Sequence, residues 1–388
     1  MKKYTKSLII ISLISKLVVG LVWAFNPVTL LEPVFMPYLA HAAAKEPSIA
    51  AYTATPPLHI FTSSTKTPVG LTPAQIKAAY NLPATGGSGT VAIITGYASN
   101  TLANDLAVFS KTFNIGPCAP SNGCLEIHSI RVPKSRPNGW QMETSLDTEW
   151  AHAIAPQANI LVVEADGTSA TSLLAAIDYA RSRKDVVAIS MSWGGPEFPE
   201  ETKLDSHFAD ASRVFFASSG DNGAGVSWPA VSPNVVAVGG SSLVMAGSNV
   251  LSEKAWPGSG GGVSLYEKEP DYQVAYSIPR ASGMRAIPDV AYNADPSLGF
   301  AIYKTNGKIG TWYMVGGTSA GAPQWAAIQA LGHSVTNTAL YADKNSAATA
   351  AYFRDITSGS NGPCAYYCAA RRHYDYVTGL GTPLTVRF

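Results

Sequence analysis

Between residues 90 and 240 the chain alternates short apolar runs with helical stretches, and this alternation most limits what it can fold into. The runs are TVAIIT (90–95), ANILVVEA (158–165), VVAISMS (186–192), VFFAS (214–218) and NVVAVGG (234–240). Between them, NTLANDLAVFSKTF (100–113) and SATSLLAAIDYARSR (169–183) space their apolar residues as helices do, and a polar helix is expected near 200–212. A strand that is apolar at consecutive positions must be covered on both faces. The pattern therefore predicts an α/β fold with a mainly parallel central sheet and helices on both sides. No linker interrupts it, so one domain is expected across 71–388. In such sheets function gathers at the carboxyl ends of strands. That places SWGG (192–195), SSGDNGA (218–224) and the helix expected over 141–154 at the functional edge.

Residues 1–44 read as an export signal: a basic MKKYTK, an apolar stretch interrupted by Lys16, then small-residue cleavage sites around Ala40–Ala44. The expectation is a secreted protein. If the segment is not cleaved, it becomes a membrane anchor with the rest of the chain facing outside. Residues 45–70, rich in Thr, Pro and Ser, read as an extended arm. Removing 1–44 takes four lysines and one glutamate, leaving 23 basic and 25 acidic residues. A net charge near −2 gives no footing for nucleic-acid binding. Four cysteines form two local pairs, Cys118 with Cys124 and Cys364 with Cys368. Export permits two small-loop disulfides, and neither spacing comes with the His/Cys set that zinc needs.

The candidate chemistry starts at MVGGTSAGAPQWAAI (314–328). Pro323 lacks an N–H and is tolerated only in the first turn of a helix, so a helix begins near Ser319. A serine there meets unpaired N–H groups and the positive end of the helix dipole, among glycines that permit close backbone approach. It is either a nucleophile or a simple N-cap. A nucleophile needs a base. METSLDTEWAHAIAP (142–156) offers Glu143 and Asp147, four apart and so on one helical face, with His152 pointing elsewhere. Partly buried, the two carboxyls would share a proton and titrate as a unit; solvated, with Glu149 beside them, they would be an ordinary acidic face. Asp221, in a glycine turn after a strand, is either an Asx turn or an oxyanion donor, and donation requires a protonated carboxyl.

GGTSAGAP, ETSLDTEWAHAIAP, SMSWGG, SSGDNGA, GSGGGVS (258–264), RDITSGSNG and DYVTGLGTP, in this order across about 71–383, resemble the sedolisins, the serine-carboxyl peptidases. The resemblance implies a subtilisin-like three-layer fold and cleavage of proteins or peptides at acid pH; a monomer is the expectation for the assembly. Ser319 would be the nucleophile and Glu143 its general base. Asp147 would orient Glu143, and Asp221 would donate to the oxyanion. It also implies one structural calcium ion, held by the Asp355 and Asp375 carboxylates and the backbone carbonyls of Ile356, Arg371 and His373. At Arg371 and His373 the family usually carries glycines. The family's long propeptide has no counterpart in the 26 residues between the cleavage point and the domain, so a separate inhibitor-like or propeptide-like chain is a possible partner. Two other readings stand beside this one. The first is an inactive protease-like binding protein; the second is a neutral hydrolase using His152 with Asp147.

Overall fold

A computed structural model describes residues 48–131, 139–342 and 352–384. The expected export signal at 1–44 lies outside them, as do residues 45–47 of the arm. No helix among the described residues is long and apolar enough to cross a membrane.

The strands are β1 (His59–Thr65), β2 (Thr90–Thr95), β3 (Leu125–Ser129), β4 (Asn159–Glu164), β5 (Val186–Met191), β6 (Val214–Ser218), β7 (Val235–Ala246), β8 (Asn249–Ala255), β9 (Gly262–Lys268), β10 (Met284–Ile287), β11 (Val290–Asn293), β12 (Phe300–Asn306) and β13 (Ile309–Gly316). The main helices are α1 (Pro73–Ala79), α2 (Leu102–Thr112), α3 (Gly139–Ile154), α4 (Ala170–Ser182), α5 (Asp271–Tyr276) and α6 (Gly321–Ala330). The central sheet runs β11-β7-β6-β5-β2-β4-β3, parallel throughout, with β8 added antiparallel to β7.

Strand β2 shows why the sheet is three-layered. Val91 and Ile93 enter a core with Leu106 of α2, Trp150 of α3 and Trp325 of α6. Ala92 and Ile94 enter the opposite core with Leu173 and Ile177 of α4. Successive side chains of a strand point to opposite faces, so an all-apolar strand needs both covers and has them.

Helix α3 lies within the protein, and every residue from Met142 to Ile154 is buried. The solvated acidic face is therefore overturned. Glu149, which would have belonged to it, accepts the Tyr303 N–H at 3.0 Å and helps dock β12. Near 200–212 the chain forms only a 3₁₀ turn, Glu201–His207. Asp210 accepts the backbone N–H and hydroxyl of Ser212 there, and side-chain bonds of this kind compete with helix formation. The edge strand β3, half exposed, carried too little apolar signal to be expected. The arm is not free: β1 pairs antiparallel with β13, and Thr53 and Thr55 bridge to Ser169 and Gly194.

Candidate active site

Ser319 sits three residues beyond β13, in the 3₁₀ turn Thr318–Ala320 that leads into α6. Gly317 turns the chain with φ 128°, a value that side chains rarely permit. The Ser319 hydroxyl is buried, caps nothing and has no hydrogen-bond partner. A capping serine would spend its oxygen on a backbone N–H, so the N-cap reading fails and the hydroxyl is left available.

The face of α3 carrying Glu143 and Asp147 turns toward this hydroxyl. Both acids are 1% exposed. Neither oxygen of Glu143 makes a well-aligned hydrogen bond, yet the Asp147 and Ser319 side chains stand close enough to act on its ionisation, Ser319 pulling it downward. Burial, then the charge of Asp147, holds Glu143 well above the usual carboxylate range. Burial pushes Asp147 up to about 7, against the pull of Ser192 and Glu143. Two acids that both resist ionising in one dry site share a proton rather than carry two charges. Ser192, at the carboxyl end of β5, donates its hydroxyl to Asp147 at 2.8 Å and lies 3.2 Å from the Ser319 carbonyl oxygen. It ties the acid pair to the serine's own backbone.

Asp221 follows β6 and approaches from the other side. Its carboxylate accepts the N–H and the hydroxyl of Thr318, each at 2.8 Å, and its side chain is 5% exposed. An Asx turn would bond its own backbone two residues on; this bond spans to the neighbour of Ser319 and fixes Asp221 beside it. The other oxygen, Oδ2, stands 3.2 Å from Nε2 of His59. Burial raises the Asp221 carboxyl, and His59 opposes that shift.

The structure thus brings Ser319, Glu143, Asp147 and Asp221 together. His152 is elsewhere: its Nε2 meets the Gly116 carbonyl at 2.7 Å, beside the loop closed by the Cys118–Cys124 disulfide. The second disulfide, Cys364–Cys368, is also formed. Ser192, Thr318 and His59 were not singled out in the sequence. The first two lie inside quoted motifs, whereas His59 comes from the arm and has no local signal.

Two of the five residues expected to hold calcium, Asp355 and Asp375, both meet the backbone of the 371–373 stretch. Asp355 accepts the His373 N–H at 2.9 Å, and Asp375 accepts the Arg371 N–H at 3.0 Å. His373 takes the left-handed φ of 65° that glycine usually fills. The Arg371 guanidinium lies 4.4 Å from the centre of the Tyr366 ring, so its charge is engaged there. Two carboxylates and three backbone carbonyls are all oxygen donors, the kind a hard divalent cation takes, so the chemistry of the set fits calcium.

The model of the subtilase family matches residues 136–355. The chain belongs to the subtilase family, on its sedolisin branch. Kumamolisin from Bacillus sp. (strain MN-32) is 32% identical over 370 residues, covering 84% of this chain and 64% of that one. Sedolisin from Pseudomonas sp. (strain 101) is 28% identical over 344 residues, covering 76% of this chain and 56% of that one. The chain therefore spans less than two thirds of the length of these relatives. The structure of Pseudomonas sedolisin, described as a serine-carboxyl proteinase complexed with two molecules of pseudo-iodotyrostatin, superposes with a TM-score of 0.68 at 27% identity. That match covers 82% of this chain and 96% of that one. Sphericase, at 21% identity and a TM-score of 0.53, shares the subtilisin-like fold.

Proposed function

We propose that this chain is an exported, acid-active serine-carboxyl endopeptidase that cleaves protein or peptide substrates. One observation carries the reading: a buried, unbonded serine hydroxyl faces a buried pair of carboxyls one helical turn apart. Ser319 attacks the scissile carbonyl as Glu143 takes its proton. Asp147, held by Ser192, keeps the remaining proton of the pair between the two acids and so keeps Glu143 oriented. Negative charge develops on the carbonyl oxygen, and protonated Asp221 donates to it. Glu143 then returns its proton to the leaving amine. Water repeats the sequence on the acyl-enzyme and frees Ser319. A histidine base would be protonated in acid and could not serve; a carboxyl pair that retains one proton can.

We also propose that Asp355, Asp375 and the carbonyls of Ile356, Arg371 and His373 hold a structural calcium ion. The meeting of the Asp355 and Asp375 carboxylates with the 371–373 stretch supports this. The ion would pin the C-terminal loop and has no part in the chemistry.

The deciding experiment replaces Glu143 with Gln and Ser319 with Ala in the hydrolytically active protein, assayed on denatured protein between pH 2 and 8. Each replacement is expected to remove activity, Glu143→Gln by a factor on the order of 10²–10⁴. Full activity in either variant overturns the assignment of that residue. Absence of acid hydrolysis in the active-site-intact protein overturns the function.

A further inference from the structure

Two surface loops meet at one tyrosine ring. The Arg280 guanidinium lies 4.2 Å from the centre of the Tyr366 ring, and that of Arg371 lies 4.4 Å from the same centre. Arg372 follows directly, and all three arginines are exposed. The loops are tied together, since the Tyr367 hydroxyl donates to the Arg280 carbonyl at 3.2 Å and the Tyr376 hydroxyl to the Pro279 carbonyl at 2.7 Å. The Cys364–Cys368 disulfide closes one of them, and the Asn361 N–H donates to the Cys368 carbonyl at 3.0 Å. The arginines therefore stand on a braced platform that needs little further ordering to bind a partner.

Neither Arg371 nor Arg372 forms an ion pair among the described residues. Stacking uses the flat face of a guanidinium and leaves the N–H donors at its edge. Among the described residues Arg371 gives only Nε, to the Tyr366 carbonyl at 3.4 Å. Asp355 feels the charge of Arg372, but it is half-buried and accepts the His373 N–H at 2.9 Å. Glu269, also half-buried, acts with Arg280 on Tyr376. Like charges gathered on one rigid surface repel, and an anion relieves that repulsion. The whole chain has a formal charge of only +1, so the concentration is local. Calcium has no use for these side chains: that reading takes backbone carbonyls at 371 and 373, where related peptidases usually carry glycine.

The anion must stay charged where the enzyme works. Carboxylates are half neutral near pH ~4, whereas sulfate and phosphate esters remain ionised and suit the two-pronged donors of arginine. Single-stranded nucleic acid stacks its bases on open aromatic faces, and here the Tyr366 ring already carries two guanidinia. A lipid surface takes apolar side chains beside the charges. Tyr366 and Tyr367 are half-buried, and no exposed large apolar side chain among the described residues falls within 359–376.

We propose that Arg280, Arg371 and Arg372, braced by Tyr366, form a docking surface for a glycan bearing strong-acid ester groups, which tethers the protein beside its substrates. The choice of a strong acid rests on the acid-active reading above; the surface itself does not.

The test measures binding by the full chain carrying Ser319→Ala, with dextran sulfate as the probe. At pH 4 dextran sulfate should bind about tenfold or more tightly than carboxymethyl dextran of equal substitution, and the gap should narrow at pH 7. Equal binding of the two at pH 4 overturns the strong-acid partner. Arg280→Gln with Arg372→Gln should weaken binding about tenfold or more. Lys111→Gln with Lys308→Gln removes two exposed charges, from α2 and from the turn between β12 and β13, and should leave binding unchanged. Equal weakening by both pairs overturns the surface. Arginine-selective labelling at pH 7 reads the unaltered side chains: dextran sulfate should shield Arg280, Arg371 and Arg372 ahead of other arginines, and uniform shielding overturns the proposal. Tighter binding of a single-stranded oligonucleotide, or of anionic phospholipid vesicles, overturns the glycan as partner. Hydrolysis plays no part in these readouts, so a parent chain that hydrolyses nothing counts against the peptidase reading and leaves the docking result standing.

Discussion

The Ser192 hydroxyl donates to the Asp147 carboxylate at 2.8 Å while standing 3.2 Å from the carbonyl oxygen of Ser319. One small side chain thereby links the strand β5, the acid-bearing helix α3 and the serine turn. Its bond lowers the pKa of Asp147 against the rise that burial imposes. Ser192→Ala removes that counterweight, so Asp147 should hold its proton to higher pH. The expected result is a rate lowered about tenfold or more and an alkaline shift of the pH–rate profile. Ser192→Thr, which keeps the hydroxyl, should restore the profile. A uniform loss of rate without a shift would mean Ser192 only packs.

Asp221 should separate donation from charge. Its carboxyl must be protonated to donate to an oxyanion, and an asparagine amide donates at any pH. Asp221→Asn keeps an acceptor for the Thr318 N–H and hydroxyl. It should retain hydrolysis and extend it toward neutral pH. Asp221→Ala should lose a factor on the order of 10²–10³ at all pH values. An unchanged alkaline limb in Asp221→Asn would assign that limb to the Glu143–Asp147 pair instead.

Stability should fall as pH rises. Burial and neighbouring acids raise Glu201 to about 10 and Glu267 to about 8, and burial raises Asp147 to about 7. Glu197 adds its charge to both glutamates, Asp205 acts on Glu267, and Arg285 partly offsets the rise at Glu267. In the unfolded chain such groups ionise near pH ~4. Between that pH and the folded values the native state binds more protons, so unfolding becomes easier with each unit of pH. The stabilising contribution is complete below about pH 4 and is lost as pH passes 7, 8 and then 10. The thermal midpoint should drop by roughly 5 °C or more from pH 4 to pH 8.5. A midpoint that rises over that interval contradicts these shifts.

The sequence carried the fold where burial was continuous and the site where the chemistry was local. The apolar runs of β2 and β4–β6 could only be covered strands. Pro323 dated the start of α6, and the spacing of Glu143 and Asp147 put both on one face of α3. What stayed hidden depends on partners distant in the chain. Whether α3 was wet or dry turned on β12 and α6 packing over it. The role of Ser192 turned on a bond to Asp147 across 45 residues. The docking of residues 52–59 rests largely on main-chain pairing, which any sequence of that composition can offer, so an extended arm was all that could be read. The 200–212 stretch failed for a local reason: Asp210 and Ser212 satisfied the backbone without a helix.

Calcium removal tests the C-terminal loop apart from catalysis. Asp375 is 2% exposed and Asp355 is half-buried, and each is fixed by a backbone N–H of the loop between Arg371 and His373. A divalent cation held by the two carboxylates would add bonds that the loop does not make without it. A ligand that binds only the folded state stabilises it by RT ln(1 + [L]/Kd), about 2.7 kcal/mol at a hundredfold excess over Kd. Calcium at that excess should therefore raise the thermal midpoint by roughly 5 °C over chelated protein, measured with the Ser319→Ala form to prevent self-digestion. Asp355→Asn should abolish the calcium-dependent part and leave the chelated midpoint nearly unchanged, because the amide oxygen still accepts the His373 N–H. Equal midpoints with and without calcium in the parent form would show that the loop closes on its own hydrogen bonds and holds no ion.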